Sequence, residues 1–183
     1  MCEVAQPQIG AVLNIGTSHA SEFGSIEATA VAKSEMLLAL PAAGTAIVNA
    51  DDVRTQVGLS RTTARTTMSF GQAASATVRF GEVSYDELGR PRTTLHYAGQ
   101  QARLAFRQIG AHQVANAAAA TAMALAAGVP FELAVETLNS AHQLSRWRME
   151  LHERADGLVV INDAYNANPE SMTAGVQALA EIK

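Results

Sequence analysis

The eight residues Ile9-Gly10-Ala11-Val12-Leu13-Asn14-Ile15-Gly16 form an almost wholly apolar run that closes on glycine. A run this short with no polar face reads as a strand covered on both sides, the pattern of parallel sheets flanked by helices. Gly44 to Asn49 repeats the pattern, with Ala50-Asp51-Asp52 as the turn or cap after it. Between the two, Ser25 is suited to cap a helix. Ile26, Ala30, Met36, Leu37 and Leu40 then recur at roughly helical spacing as far as Pro41. Strand, helix, strand in this order predicts an α/β fold with a parallel sheet. Folds of that class bind ligands just beyond the C-terminal ends of their strands. Attention therefore falls on the loop Asn14-Ile15-Gly16-Thr17-Ser18-His19 and on Glu22-Phe23-Gly24-Ser25 behind it.

The texture changes near Thr66. Thr67-Met68-Ser69-Phe70, Thr77-Val78-Arg79-Phe80 and Thr93-Thr94-Leu95-His96-Tyr97 are short β-rich runs separated by glycine or proline, which predicts a small antiparallel insert. Asp86-Glu87-Leu88-Gly89-Arg90-Pro91 reads as a hairpin loop within it. His112 to Ala127 is rich in alanine, a strong helix former of small volume, and Gly128-Val129-Pro130 ends that run. A short helix is expected from Phe131 to Leu138. Ser140 to Arg148 has no apolar period and is the expected domain junction. Beyond it, Met149–His152 and Leu158–Ile161 read as strands turning at Asp156-Gly157, and Pro169 opens a helix toward Lys183.

Composition excludes several classes. With 183 residues, 48% hydrophobic and 16% charged, the chain can bury a core, and disorder is not the expected state. A net charge of -4 with scattered Lys and Arg predicts neither nucleic-acid nor anionic-membrane binding. Cys2 is the single cysteine, and the chain shows neither a leader nor a long apolar run, so a reducing, cytoplasmic setting is expected. The phosphate-cradling pattern Gly-x-x-x-x-Gly-Lys-[Ser/Thr] is absent, and with it any self-contained ATPase site. No Cys/His metal constellation, no Gly-x-Ser-x-Gly elbow and no repeat period is present either.

Chemistry has few places to sit. His19 follows a parallel strand in the crevice position, although a loop histidine is more often structural. Lys33, in Ala30-Val31-Ala32-Lys33-Ser34-Glu35-Met36, reads on spacing alone as a solvated helix lysine; burial would make its amine reactive. Asn162-Asp163-Ala164-Tyr165-Asn166-Ala167-Asn168-Pro169 packs polar side chains densely after a strand. A helix cap accounts for Asn168 but not for the others, and a carboxylate there can accept from ribose hydroxyls. Arg148, at the domain junction beside Glu150, suits a phosphate clamp.

Three separated blocks together resemble one family, the Mur ligases. They are Asn14 to Ser25 with Lys33-Ser34-Glu35; Gly110-Ala111-His112-Gln113-Val114-Ala115-Asn116-Ala117; and Arg148-Met149-Glu150 with Asp163 to Pro169. The resemblance implies the later part of a P-loop-type central domain over residues 1–144. Residues 145–183 would then begin a Rossmann-like C-terminal domain. An N-terminal domain and the P-loop are missing, so the chain is expected to be an inactive fragment.

The implied activity is ATP-dependent amide ligation in peptidoglycan precursor synthesis. ATP phosphorylates the carboxylate of a UDP-MurNAc-tripeptide, and the amine of D-Ala-D-Ala attacks the acyl phosphate. By the same resemblance His19 helps bind a second Mg2+, and Lys33 is the lysine that becomes carbamoylated and holds magnesium. Asn116 contacts adenine, Asp163 lies near the ribose, and Arg148 faces the phosphates. Tyr165, Asn166 and Asn168 complete the signature. Gln113 and Ala164 depart from it, standing where many members have asparagine and serine. A related Mur or folylpolyglutamate-synthase-type ligase with another amine acceptor, or a non-catalytic binding module, are the competing readings.

Overall fold

The computed structural model describes residues 2–16, 24–142 and 145–182. A helical turn α1 (Cys2–Ala5) precedes β1 (Ile9–Val12), α2 (Ile26–Leu38) and β2 (Thr45–Asn49). A 3-10 turn at Val53–Gln56 leads to β3 (Thr66–Gly71), β4 (Val78–Phe80), β5 (Ser84–Tyr85), β6 (Pro91–Tyr97) and β7 (Gln100–Ala105). Then come α3 (His112–Ala126), α4 (Phe131–Ser140), β8 (Glu150–Glu153), β9 (Val159–Asn162) and α5 (Pro169–Ala180). One sheet runs β1-β2-β3-β4-β6-β5, with β7 added on β6; β8 and β9 pair separately and antiparallel.

The apolar runs do form adjacent parallel strands, Ile9 opposite Thr45 and Val12 opposite Val48. Their side chains alternate between two cores, as the two-residue strand period requires. Ala46 and Val48 pack with Val12, Ala30, Leu37 and Leu40 on the α2 side, while Ile47 joins Phe70, Val78, Leu95 and Val114 on the α3 side. Each large side chain so buried is worth about 1.5–3 kcal/mol relative to exposure. Ser25 caps α2 as expected, its Oγ accepting from Ala28 N at 3.1 Å. Helix α2 lies close on β1 because position 10 has no side chain: a Cβ there would stand 3.1 Å from both Leu40 Cδ2 and Met36 Cγ. The alanines of α3 serve the same end on the other face, with Ala117, Ala118, Ala119 and Ala122 all buried.

The sequence expectation for residues 66–80 needs correction. Thr66–Gly71 is not part of an antiparallel insert. It pairs parallel to β2 along its length, and Phe70 and Gly71 pair parallel with Val78 and Arg79 of β4. Antiparallel pairing begins only with β4 on β6 and continues through β5, β6 and β7. The tight connection after β3 is held by Asp51, which accepts from Gln72 N at 2.7 Å and Ala73 N at 2.8 Å. The Ser69 and Thr77 hydroxyls each accept from the other residue's main-chain N–H. The hairpin loop at Asp86 is as expected, with Asp86 Oδ1 accepting from Leu88 N and Arg90 N, both at 3.0 Å.

The β8-β9-α5 unit closes on the end of the sheet domain through a third cluster of Ile109, Met149 and Ala178. Chain reversal into it is made by two non-glycine residues in the left-handed region, Trp147 (φ 62°) and Met149 (φ 53°). Such conformations cost roughly 1–2 kcal/mol each and persist where the surroundings hold them. Two hydrogen bonds do so here: Tyr165 N donates to Trp147 O at 3.0 Å, and Met149 N donates to Asp163 Oδ1 at 3.0 Å.

Candidate nucleotide site

Three of the sequence candidates come from separate elements and meet. Asn116 lies on the first turns of α3, Arg148 at the reversal before β8, and Asp163 directly after β9. Together they line a cavity of about 520 Å3 whose other walls include Gln108, His112, Gln113, His142 and Ser171. That volume is within the roughly 300–1,000 Å3 of small-molecule sites. Spacing explains part of the convergence: His112, Gln113 and Asn116 stand three and four residues apart at the start of one helix, so they share a face.

Asp163 is both wall and brace. Its Oδ1 bond to the N–H of buried Met149 fixes the carboxylate and sets the left-handed turn that presents Arg148. The Arg148 guanidinium lies 3.9 Å from the centre of the Tyr165 ring, a cation–π contact. Tyr165 thus touches the site through Arg148. The His112 ring lies over Gly110, where a Cβ would stand 2.6 Å from Cε1; Gly110 is left-handed (φ 103°) and must stay bare. Protein packed against the inner side of this otherwise exposed ring holds its pKa below the usual imidazole value, and the Asp163 charge opposes that shift.

The remaining candidates are placed differently. Asn168 caps α5, its Oδ1 accepting from Ser171 N at 2.9 Å while Ser171 Oγ accepts from Asn168 N at 3.0 Å, a complete capping box. Asn166 is exposed and its Oδ1 accepts from the next main-chain N–H, that of Ala167, at 2.8 Å. Lys33 lines a second cavity of about 860 Å3 with Cys2, Leu13, Asn14, Glu35 and Met36. Its side chain is exposed in this chain, although Lys33 stands on α2 within the sector of buried Thr29, Ala30, Ser34 and Leu37, because its long stem carries the amine past the packed face into the open cavity. The amine donates to Asn14 O at 3.2 Å, just past the C-terminal end of β1. His19 lies outside the described residues. The first turn of α5 reaches the same strand end: a Cβ at Gly16 would stand 2.5 Å from Glu170 Oε2.

Sequence reasoning missed His112, Gln108 and His142 as cavity residues. His112 had a signal, its i,i+4 spacing to Asn116. Gln108 and His142 had none, being joined to the site only by the packing of the segments that flank α3 and α4. Among the described residues no three His, Cys, Asp or Glu side chains form a metal cage, and no helix is long and apolar enough to cross a membrane.

A helix-flanked parallel sheet whose far end meets a ββα unit around a polar cavity defines a class, and comparison names it. Residues 1–124 match the model of the Mur ligase middle domain, and the chain belongs to that family. Across its full length it is 45% identical to the UDP-N-acetylmuramoyl-tripeptide–D-alanyl-D-alanine ligase of Mycobacterium tuberculosis, covering 36% of that protein. It is 33% identical to the enzyme of that name from Bacillus subtilis, covering 38%. The crystal structure of MurF from Acinetobacter baumannii superposes with a TM-score of 0.86 at 32% identity, over 98% of this chain and 38% of that one. MurF from Thermotoga maritima, solved in complex with ADP, shares the fold at TM-score 0.83 and 22% identity, over 98% of this chain and 40% of that one. The chain therefore spans a little over a third of the length of these relatives.

Proposed function

We propose that the chain is one wall of the nucleotide cleft of an ATP-dependent ligase that joins D-Ala-D-Ala to UDP-MurNAc-tripeptide in cytoplasmic peptidoglycan precursor synthesis. On this reading residues 1–144 are the later part of the central domain and 145–183 the start of the C-terminal one. One observation carries it: Asn116, Arg148 and Asp163, from three distant blocks, line a single cavity of nucleotide size. The 45% identity to a ligase of that acceptor specificity supports D-Ala-D-Ala over other amines.

Each residue has a physical task in this reading. The Asn116 amide offers a donor and an acceptor to an adenine edge. Asp163 accepts from ribose hydroxyls. Arg148, oriented by Tyr165, faces the phosphates with a fixed fork of donors. Tyr165, Asn166 and Asn168 shape and cap the loop that carries them. Mg2+, when bound, neutralises the mutual repulsion of phosphates and substrate carboxylate; His19 and Lys33 are the residues of this chain that would hold it. The donor set fits only if Lys33 changes charge. As the neutral amine it forms an N–C bond to CO2 and releases one proton, leaving a carbamate anion. The open cavity beside Lys33 has room for that group, and polypeptide beyond these 183 residues would supply the desolvation that favours the neutral amine.

The test is phosphate release by the full-length protein. It should require ATP, UDP-MurNAc-tripeptide and D-Ala-D-Ala together, and the 183-residue chain alone should give none. Turnover by the full-length protein with a different amine in place of D-Ala-D-Ala, or ligase-rate turnover by the chain alone, overturns the reading.

A further inference from the structure

Beyond Val12 and Val48 the main-chain pairing of β1 with β2 ends. Side chains from the last residue of β2 and from the turn after it then take over. Asn49 Nδ2 donates to Leu13 O at 3.0 Å, and Asp52 Oδ2 accepts from Ile15 N at 2.9 Å. The segment Leu13 to Ile15, past the last paired residues, is thus tied to the end of β2 and its turn. Asn49 is itself held by Thr55, whose Oγ1 accepts from Asn49 N at 3.1 Å. Asp52 is fixed through its other oxygen, which accepts from Arg54 Nε at 2.8 Å and Arg54 N at 3.2 Å.

The bond to Asp52 and the bond to Lys33 share one peptide group. Ile15 N–H and Asn14 C=O belong to the same planar unit, and they point to opposite sides because the peptide is trans. Asp52 grips one edge of that plate; Lys33 Nζ rests on the other. Ile15 is 2% exposed, so water cannot readily take the place of the carboxylate. Hydrogen bonds in series polarise one another, so a carboxylate on the N–H makes the linked carbonyl a stronger acceptor. After carbamoylation, the N–H that remains on Lys33 can still donate to the same carbonyl.

We propose that Asp52 is a positioning residue for the ligase reaction, acting through the Asn14–Ile15 peptide on the side-chain nitrogen of Lys33. This rests on the functional reading of Lys33 above. Neither Asp52 nor Asn49 touches the cavity that holds Asn116 and Asp163, so the effect falls on turnover rather than on nucleotide affinity.

The experiment compares Asp52→Ala, Asp52→Asn and Lys33→Ala in the full-length enzyme, measuring kcat and the KM for ATP. A displacement of about 1 Å at a reacting group costs on the order of 100-fold. Asp52→Ala should therefore lower kcat at least about tenfold with KM for ATP changed less than about threefold. Asp52→Asn, which keeps an oxygen for Ile15 N–H but drops the charge and turns an NH2 toward the Arg54 donors, should recover part of that loss, with kcat clearly above that of Asp52→Ala. Should the alanine variant not fold, Asp52→Ser takes its place with the same expectation, since its hydroxyl stops short of Ile15. Wild-type kcat in the alanine or serine variant, equal losses in the alanine and asparagine variants, or a KM that rises as kcat falls would each overturn the proposal. Lys33→Ala separates the two levels. If it is inactive while Asp52→Ala is normal, the relay is wrong and the reading of Lys33 stands. If Lys33→Ala is fully active, the reading of Lys33 fails and takes the relay with it.

Discussion

Asp163→Ala tests the site most directly, because the structure gives this carboxylate two separable tasks. Its Oδ1 accepts from Met149 N at 3.0 Å, and Met149 is 5% exposed, so truncation leaves a buried donor unpaired. That costs about 1–3 kcal/mol of folding stability. If the carboxylate also accepts from a ribose hydroxyl, the lost charged hydrogen bond removes about 1.5–3 kcal/mol of binding. At about 1.4 kcal/mol per tenfold, ADP affinity should fall by roughly 10- to 150-fold. Urea denaturation and titration calorimetry of ADP into the full-length protein read the two quantities separately. Asp163→Asn keeps an oxygen for Met149 N–H but not the charge, so stability should return nearly to wild type while ADP affinity stays reduced. An alanine variant that binds ADP within about threefold of wild type would falsify the nucleotide assignment, whatever its stability.

Two further outcomes follow from local geometry. The His112 imidazole titrates below its ordinary value of about 6.5 in the folded protein, so below that pH the unfolded chain takes up a proton the folded one refuses. Stability should therefore decline as pH falls from about 6.5 toward the lowered value, and His112→Gln should flatten that slope in urea denaturation; identical slopes would rule out the burial as its cause. Asn168→Ala removes the side-chain half of the capping box, the bond accepted from Ser171 N, and should cost about 1 kcal/mol, while Asn168→Ser should restore most of it. ADP affinity should be the same in both variants, and a tenfold loss in the serine variant would mean that Asn168 reaches the nucleotide.

The parallel strands β1 and β2, the cap at Ser25, the alanine-rich α3, the hairpin at Asp86 and the proline-led α5 were all legible, because each is written within one short stretch of residues. A uniformly apolar run, a hydroxyl before a helical period and a proline at a first turn act locally, and tertiary packing here reinforces them. The strand Thr66–Gly71 was not. Its threonine-rich alternation is the pattern of an antiparallel strand, and only six residues separate Gly71 from Val78, fewer than a crossover between parallel strands ordinarily needs. What permits the parallel pairing is Asp51, twenty-odd residues upstream, satisfying the turn's N–H groups.

The site divides in the same way. Which residue types carry the chemistry was readable from three sequence blocks, since amide, guanidinium and carboxylate groups announce their hydrogen-bonding capacity wherever they stand. Whether they meet was not, because Asn116, Arg148 and Asp163 are brought to one cavity by the left-handed turn at Trp147 and Met149 and by the packing of Ile109 on Ala178. The same holds for Lys33. Its small neighbours do pack, with Ala30 and Ser34 buried beside it, yet its exposure depends on what stands beyond the end of β1, where the amine emerges to meet Asn14 O. Sequence determined the local elements and the available functional groups; the tertiary structure decided their strand partners, their exposure and their company, because those depend on contacts between residues far apart in the chain.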